Sequence, residues 1–220
     1  PVRDGEALVI VVLRAERVLE LEANFKDGKA RDLLAGAHLR QGLSYMRQKN
    51  YKDAIGEYTA ASQIDPGNAK TFYNLGLAHK GARNLAKAIE SMDTASDLKP
   101  DSAKAYKSLG DLYKATRKNS KAAAAYERAI KANPKNKKAY IQLADVYTKT
   151  KQLTKAVSIL KRAVAKVPGD AKLQTALGFA HHKAKNYDSA IAAYRRALRT
   201  DPKSTETHYR LSVTYFETKQ

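Results

Sequence analysis

The chain has 220 residues, with 41 Lys and Arg against 22 Asp and Glu, a formal net charge of +19. Cysteine and tryptophan are absent, which excludes a disulfide framework, a thiolate nucleophile and Cys-ligated zinc. An apolar fraction of 43% is too high for a disordered polycation, and no apolar run approaches the roughly 18 residues of a membrane span, the longest being Ala7–Leu13.

The first 34 residues stand apart from the rest. Leu8, Val11, Val12, Ala15, Val18 and Leu19 share one helical face, with Arg14, Glu16, Arg17 and Glu20 elsewhere. The β-branched run from Val9 to Val12 suits a strand equally. The helical reading puts a helix end near Phe25 and a turn at Gly28. Such a segment would cap the structure that follows, or dock residues 7–25 into a groove of a second copy. The chain opens at Pro1 rather than Met, so it reads as a fragment or processed product, compatible with a leader or anchor upstream. As given it reads as soluble, cytoplasmic or peripherally membrane-associated.

From residue 35 the sequence repeats. Pro66, Pro100, Pro134, Pro168 and Pro202 recur in one phase, giving the frames 35–68, 69–102, 103–136, 137–170 and 171–204 and a partial frame 205–220. A small residue keeps that phase as Gly42, Gly76, Gly110, Ala144, Gly178 and Ser212. Three residues later come Tyr45, His79, Tyr113, Tyr147, His181 and Tyr215. Ala54, Ala88, Ala122, Ala156 and Ala190 follow, then Tyr58, Met92, Tyr126, Leu160 and Tyr194. The spacings of three and four within a frame predict two amphipathic helices, A and B. In the first frame these run from about Ala35 to Arg47 and from about Lys52 to Ile64. Proline stops helix B. Two residues on stands Asn68, Ser102, Asn136, Asp170 or Ser204, each a strong N-cap for the next helix A. The tail 205–220 reads as a last A helix or a C-terminal cap.

These columns, for example Phe72, Leu75, Gly76, His79, Ala88, Met92, Ala95 and Pro100, resemble the tetratricopeptide repeat (TPR) family, whose period is 34 residues. The resemblance implies an all-α, right-handed superhelical solenoid of antiparallel helix pairs, with A helices lining a concave face and contacts mainly between neighbours. It also implies a protein-binding role.

Charge is spread unevenly over the frames. Residues 1–34 carry a net −1, the next two frames +1 each, the frames 103–136, 137–170 and 171–204 carry +7, +6 and +5, and the tail is neutral. A block of this size is more than solubility requires. The groove positions implied by the resemblance read Lys70, Lys104, Lys138 and Lys172 in one column, with Lys107, Lys114, Lys149 and Lys183 in others. Asp111 and Asp145 are local counter-charges. Toward the N-terminus the same columns hold Leu39, Leu43, Met46, Tyr73 and Leu77. Helix spacing of roughly 10 Å against about 3.3 Å per extended residue would offer an acidic peptide a lysine about every third residue. A set for clamping a C-terminal carboxylate is missing: at the matching positions Asp111 would repel the carboxylate and Ala176 has no cation. On the outer face the B helices hold Arg128 and Lys131, then Lys161, Arg162 and Lys166, then Arg195, Arg196 and Arg199. These form the alternative surface, one for an anionic membrane or nucleic acid.

Catalytic motifs are lacking. His38, His79, His181 and His208 occupy aromatic columns, leaving only His182 toward the groove. No H-E-x-x-H or G-x-S-x-G motif occurs. Only Tyr73 and Tyr209 lie outside packing columns, too few for a nucleic-acid stacking platform, so nucleic acid fits less well than protein. The expectation is therefore a non-catalytic scaffold or adaptor with no cofactor and no metal, binding a partner protein or an extended acidic peptide in its groove, with self-assembly compatible. Bacterial family members that assemble on organelle membranes are a precedent for the alternative.

Overall fold

The computed structural model describes residues 28–218. The segment around residues 7–25, read above as a cap or self-docking element, lies outside them. The described residues form eleven α-helices: α1 (Gly28–Arg47), α2 (Tyr51–Ile64), α3 (Ala69–Gly81), α4 (Leu85–Leu98), α5 (Ala103–Ala115), α6 (Asn119–Ala132), α7 (Lys137–Lys149), α8 (Leu153–Lys166), α9 (Ala171–Lys183), α10 (Tyr187–Thr200) and α11 (Thr205–Thr218). Odd-numbered helices are the A helices and even-numbered ones the B helices. Two sequence expectations change at the start. Gly28 opens α1 rather than making a turn, and helix A begins there instead of near Ala35. The stretch Ala30–Leu34 contains no breaker beyond its first turn, so the helix extends backwards; Leu34 is buried and Leu33 exposed.

The helices start where side-chain caps are available. Asn68, Ser102, Asn136 and Asp170 each accept a hydrogen bond from a backbone N–H two or three residues into the following A helix, at 3.0–3.2 Å, and Ser204 accepts one from Thr207 N at 3.4 Å. Each such cap is worth about 1 kcal/mol. The A helices end in a Schellman arrangement. Asn50, Asn84, Lys118, Gln152 and Asn186 donate their N–H to the carbonyl five residues back, at 2.8–2.9 Å. The residue just before each is in the left-handed conformation: Lys49, Arg83, Arg117, Lys151 and Lys185, with φ between 58° and 60°. Glycine usually stands at this position, because a Cβ there costs about 1 kcal/mol. All five positions here are basic, and no sequence signal marked them as left-handed.

The chain divides into two compact units, Pro1–Asp101 and Ser102–Gln220. In the N-terminal unit, α1 packs on α2, α2 on α3, and α3 on α4, while α1 also touches α3. Its core centres on Ala54, Tyr58, Leu75 and Ala78, with Leu39, Tyr45, Met46 and Phe72 partly buried against it. In the C-terminal unit the same pattern runs from α5 to α11, and each A helix touches the next. Its core is continuous through Tyr106, Tyr126, Tyr140, Leu143, Leu160 and Leu177.

The small column explains the close approach of A to B. A Cβ added at Gly42, Gly110 or Gly178 would meet the ring of Tyr58, Tyr126 or Tyr194 at 2.6 Å. Where the B residue is Leu160, the A residue is Ala144, and the bulk is redistributed across the pair. At Gly76 the added Cβ would meet the mobile end of Met92 at 3.0 Å and the Ala88 carbonyl at 3.2 Å.

Candidate functional site

In the C-terminal unit the A helices α7, α9 and α11 wall a cavity of about 470 Å³. Its floor is apolar, from Ile141, Ala144, Ala176 and Phe179, and its rim carries Lys172, Arg210, Asp145 and Glu206. Arg210 stacks on Phe179 at 4.3 Å and pairs with Glu206 at 2.9 Å, so both side chains are held at the mouth. Lys183 also lies over the Phe179 ring, 5.4 Å from its centroid. Beside the last A helix a second hollow is lined by His182, Tyr209 and Glu217 among others. There His182 bonds Thr214 Oγ1 at 3.0 Å and approaches Glu217 at 3.6 Å, latching α11 onto α9.

A different hollow of about 410 Å³ opens between the start of α5 and the loop before α7. Lys104, Lys107, Lys135, Lys137 and Lys138 line it, with Asn133, Asn136 and Ala103, and no carboxylate. Lys137 is turned to Asp170 at 2.6 Å and Lys107 to Asp111 at 2.6 Å. Burial alone would raise the Asp170 pKa, but the bonds from Lys137 and the Leu173 backbone N–H outweigh it, and its carboxyl sits below the usual range.

The other lysines expected in a groove are partly matched. Lys114 bonds Gln142 and, at 3.1 Å, Asp145, and Lys149 reaches the same Asp145 at 3.2 Å. Asp111 also accepts the Tyr126 hydroxyl at 2.7 Å. The side chains of Lys70, Lys104, Lys138 and Lys172 are exposed at the first turns of their helices. Lys70 belongs to the N-terminal unit, and the other three to the C-terminal unit. In the N-terminal unit Leu39 and Met46 are packing residues as well as surface residues, and Leu43, Tyr73 and Leu77 are half-buried. Asn74 is buried and its Nδ2 makes no hydrogen bond.

The cations expected on an outer face are exposed on the B helices. Two of them rest on rings: Arg128 over Tyr106 at 5.6 Å and Arg195 over Tyr215 at 6.0 Å. Lys131, Lys161, Arg162, Lys166, Arg196 and Arg199 face solvent.

The histidines divide by burial. His79 and His181 are buried, and desolvation, aided by Lys87 at His79 and by Lys161 at His181, pulls both pKa values below the ordinary imidazole value. His38 is buried against Glu57, 2.7 Å away. His208, expected to be a packing residue, is instead exposed and bonds the Pro202 carbonyl at 2.9 Å. Among the described residues no group of three His, Asp or Glu side chains could hold a metal, and no helix is long and apolar enough to cross a membrane.

Sequence reasoning missed two residues of these sites. Arg210 stands on the last A helix, in the column of Gln142 and Ala176, and Lys135 lies in a loop. The pairing of Arg210 with Phe179 links residues 31 positions apart, one short of the 32 that separate Thr175 from Thr207. The signal available was the apolar column residue Phe179 itself, followed one frame later by an arginine on the adjoining helix face.

Paired antiparallel helices repeated at a fixed step, with small residues at the A–B contact and a cavity on the A-helix side, define a helical-repeat solenoid of the protein-interaction class. The chain belongs to the tetratricopeptide repeat family. The model for the TPR domain of cytochrome c-type biogenesis protein H matches residues 99–208, half of the chain, and two general TPR models match residues 42–81 and 69–102. No curated protein matches the chain significantly. Among solved structures, MamA matches at 26% identity with a TM-score of 0.66, over 75% of this chain and 96% of that one. MamA 41-end from Desulfovibrio magneticus RS-1 matches at 18% identity and 0.66, over 78% and 97%. YrrB, described as a TPR protein with an unusual peptide-binding site, matches at 16% identity and 0.67, over 89% and 96%. The last two likenesses, at lower identity, bear on the fold alone. The TPR fold supports a protein-interaction scaffold.

Proposed function

We propose that the chain is a non-catalytic scaffold that holds an extended acidic segment of a partner protein along the A helices of its C-terminal unit. One observation supports this most: the same unit carries a cavity with an apolar floor at Ile141, Ala176 and Phe179 and a separate hollow lined by five lysines, two of them paired with Asp111 and Asp170. An apolar side chain seated in the first supplies most of the affinity. Acidic residues reaching Lys104, Lys138 and Lys172 select the sign of the partner and speed its encounter. Lys107, Lys114, Lys149 and Lys183 flank that path, and Asp111 and Asp145 fix several of them in place. Leu39, Leu43, Met46, Tyr73 and Leu77, with Lys70, would offer an apolar stretch of groove in the N-terminal unit. The peptide-binding site for which YrrB is described is a property of that protein, and only the fold carries over. Self-assembly through residues 7–25 is a compatible addition, checked by light scattering of a variant that starts at Asp32.

Anion binding by the convex triplets has less support, since Arg128 and Arg195 are already engaged with rings. The test is titration calorimetry with an acidic peptide bearing one large apolar residue. Lys104→Glu with Lys138→Glu is expected to lower affinity at least tenfold and to flatten its salt dependence. Unchanged affinity would remove the groove from consideration.

A further inference from the structure

The A-to-B turns carry a surface that shares only Lys149 and Lys183 with the groove and none of the B-helix cations. In the C-terminal unit three of them, residues 115–119, 149–153 and 183–187, hold Arg117, Lys118, Lys149, Lys151, Lys183 and Lys185, all exposed, and contain no Asp or Glu. Because α5 touches α7 and α7 touches α9, the three turns lie side by side along one edge, about 20 Å long at roughly 10 Å per contact. Lys149 is paired with Asp145 and Lys183 rests on Phe179. Among the described residues Arg117, Lys118, Lys151 and Lys185 pair with no carboxylate. Arg117, Lys151 and Lys185 are also the left-handed residues that close the A helices, positions where glycine or asparagine is cheaper. A cation stands there at a conformational cost in each of the three turns, as it does at Lys49 and Arg83 in the N-terminal unit.

The residue types favour one partner. Five of the six cations are lysines, compact point charges suited to a diffuse field, whereas the forked arginines suited to individual phosphates stand on the convex face as Arg128, Arg162, Arg195 and Arg196. No exposed aromatic ring in the turns could stack on a base; Tyr187 is half-buried, edge-on to His182 at 5.6 Å. Within the three turns themselves no large apolar side chain is exposed, so their contact is with the headgroups. We propose that the A-to-B turn edge of the C-terminal unit is an electrostatic docking surface for an anionic lipid leaflet, leaving the groove open to its own partner.

The backbone supplies a test in which lost binding cannot be ascribed to lost folding. Arg117→Gly, Lys151→Gly and Lys185→Gly together remove three charges and relieve three strained positions. The triple variant is expected to melt no lower than the parent. Its partition onto phosphatidylcholine vesicles containing phosphatidylglycerol is expected to fall about 100-fold, at about fivefold for each cation removed, while vesicles of phosphatidylcholine alone bind neither form. Should the triple variant fail to fold, Lys151→Asn with Lys185→Asn, expected to lose about 25-fold, decides the matter. Equal partition of variant and parent would overturn the proposal. So would a parent that shifts duplex DNA but ignores the vesicles, or a loss produced only by Arg162→Gln, Arg195→Gln and Arg196→Gln on the convex face.

Discussion

Tyr58 in the N-terminal unit and Tyr126 in the C-terminal unit occupy the same column, are fully buried, and press against Gly42 and Gly110 in the same way. The Tyr126 hydroxyl donates to Asp111. The Tyr58 hydroxyl has no partner, because the residue in the position of Asp111 is Leu43. Burial raises the Tyr58 pKa to about 12; at Tyr126 burial and then the Asp111 bond raise it further. The contrast extends beyond one pair. Gln41 Oε1, Thr71 Oγ1, Asn74 Nδ2 and His79 Nδ1 are also buried without hydrogen bonds in the N-terminal unit, against Gln174 Oε1 and His181 Nδ1 in the C-terminal one. The repeat columns dictate the packing in both units, while the polar positions between columns decide how well each is satisfied and what it shows to solvent.

The sharpest way to break this comparison is through the glycine column. Gly110→Ala drives a Cβ into a buried tyrosine ring and is expected to cost about 2 kcal/mol, measured by urea unfolding. Gly76→Ala meets the flexible end of Met92 and is expected to cost less than about 1 kcal/mol; equal costs would mean that ring contact is not what sets the column. Next in size is the hydroxyl. Tyr126→Phe should destabilise by about 1 kcal/mol, whereas Tyr58→Phe, which deletes an unbonded group, should be neutral or stabilising. A smaller effect is expected at the turns, where Lys49→Gly and Lys151→Gly should each stabilise by up to about 1 kcal/mol, read as a rise in Tm.

Acid supplies a last comparison, shared by both units. His79 and His181 have depressed pKa values in the folded state, so the unfolded chain binds more protons there below its ordinary imidazole pKa near 6.5. Their stabilising contribution is complete above that pH and is lost as pH falls through the folded values. His79→Tyr with His181→Tyr, placing in both frames the residue found at Tyr113 and Tyr147, should flatten the acid limb of a Tm against pH plot. An unaltered limb would show that other groups set it.

Much of the fold is readable because packing obeys one period. Proline, the N-cap and the small column fall in phase, and each has a local physical cause. The left-handed turn residues were not readable, since lysine and arginine give no hint of positive φ. The start of α1 was missed because nothing in Gly28–Leu34 interrupts a helix except the glycine itself. At the candidate site, the A-helix columns brought Asp145 and Lys172 into view. Lys135 and Lys137 join their hollow through loop geometry, which no column carries, and Arg210 reaches Phe179 across neighbouring A helices. The ion pairs that tie Lys107 and Lys114 to Asp111 and Asp145 follow from side-chain reach, and they reduce the lysine surface left for a partner.

The most direct test of the central claim is lysine footprinting by acetylation and mass spectrometry, with and without a bound acidic peptide. The account predicts that Lys104, Lys138 and Lys172 become protected while Lys131, Lys161 and Lys166 on the B helices keep their reactivity. Protection of the B-helix lysines with the A-helix lysines unchanged would contradict it.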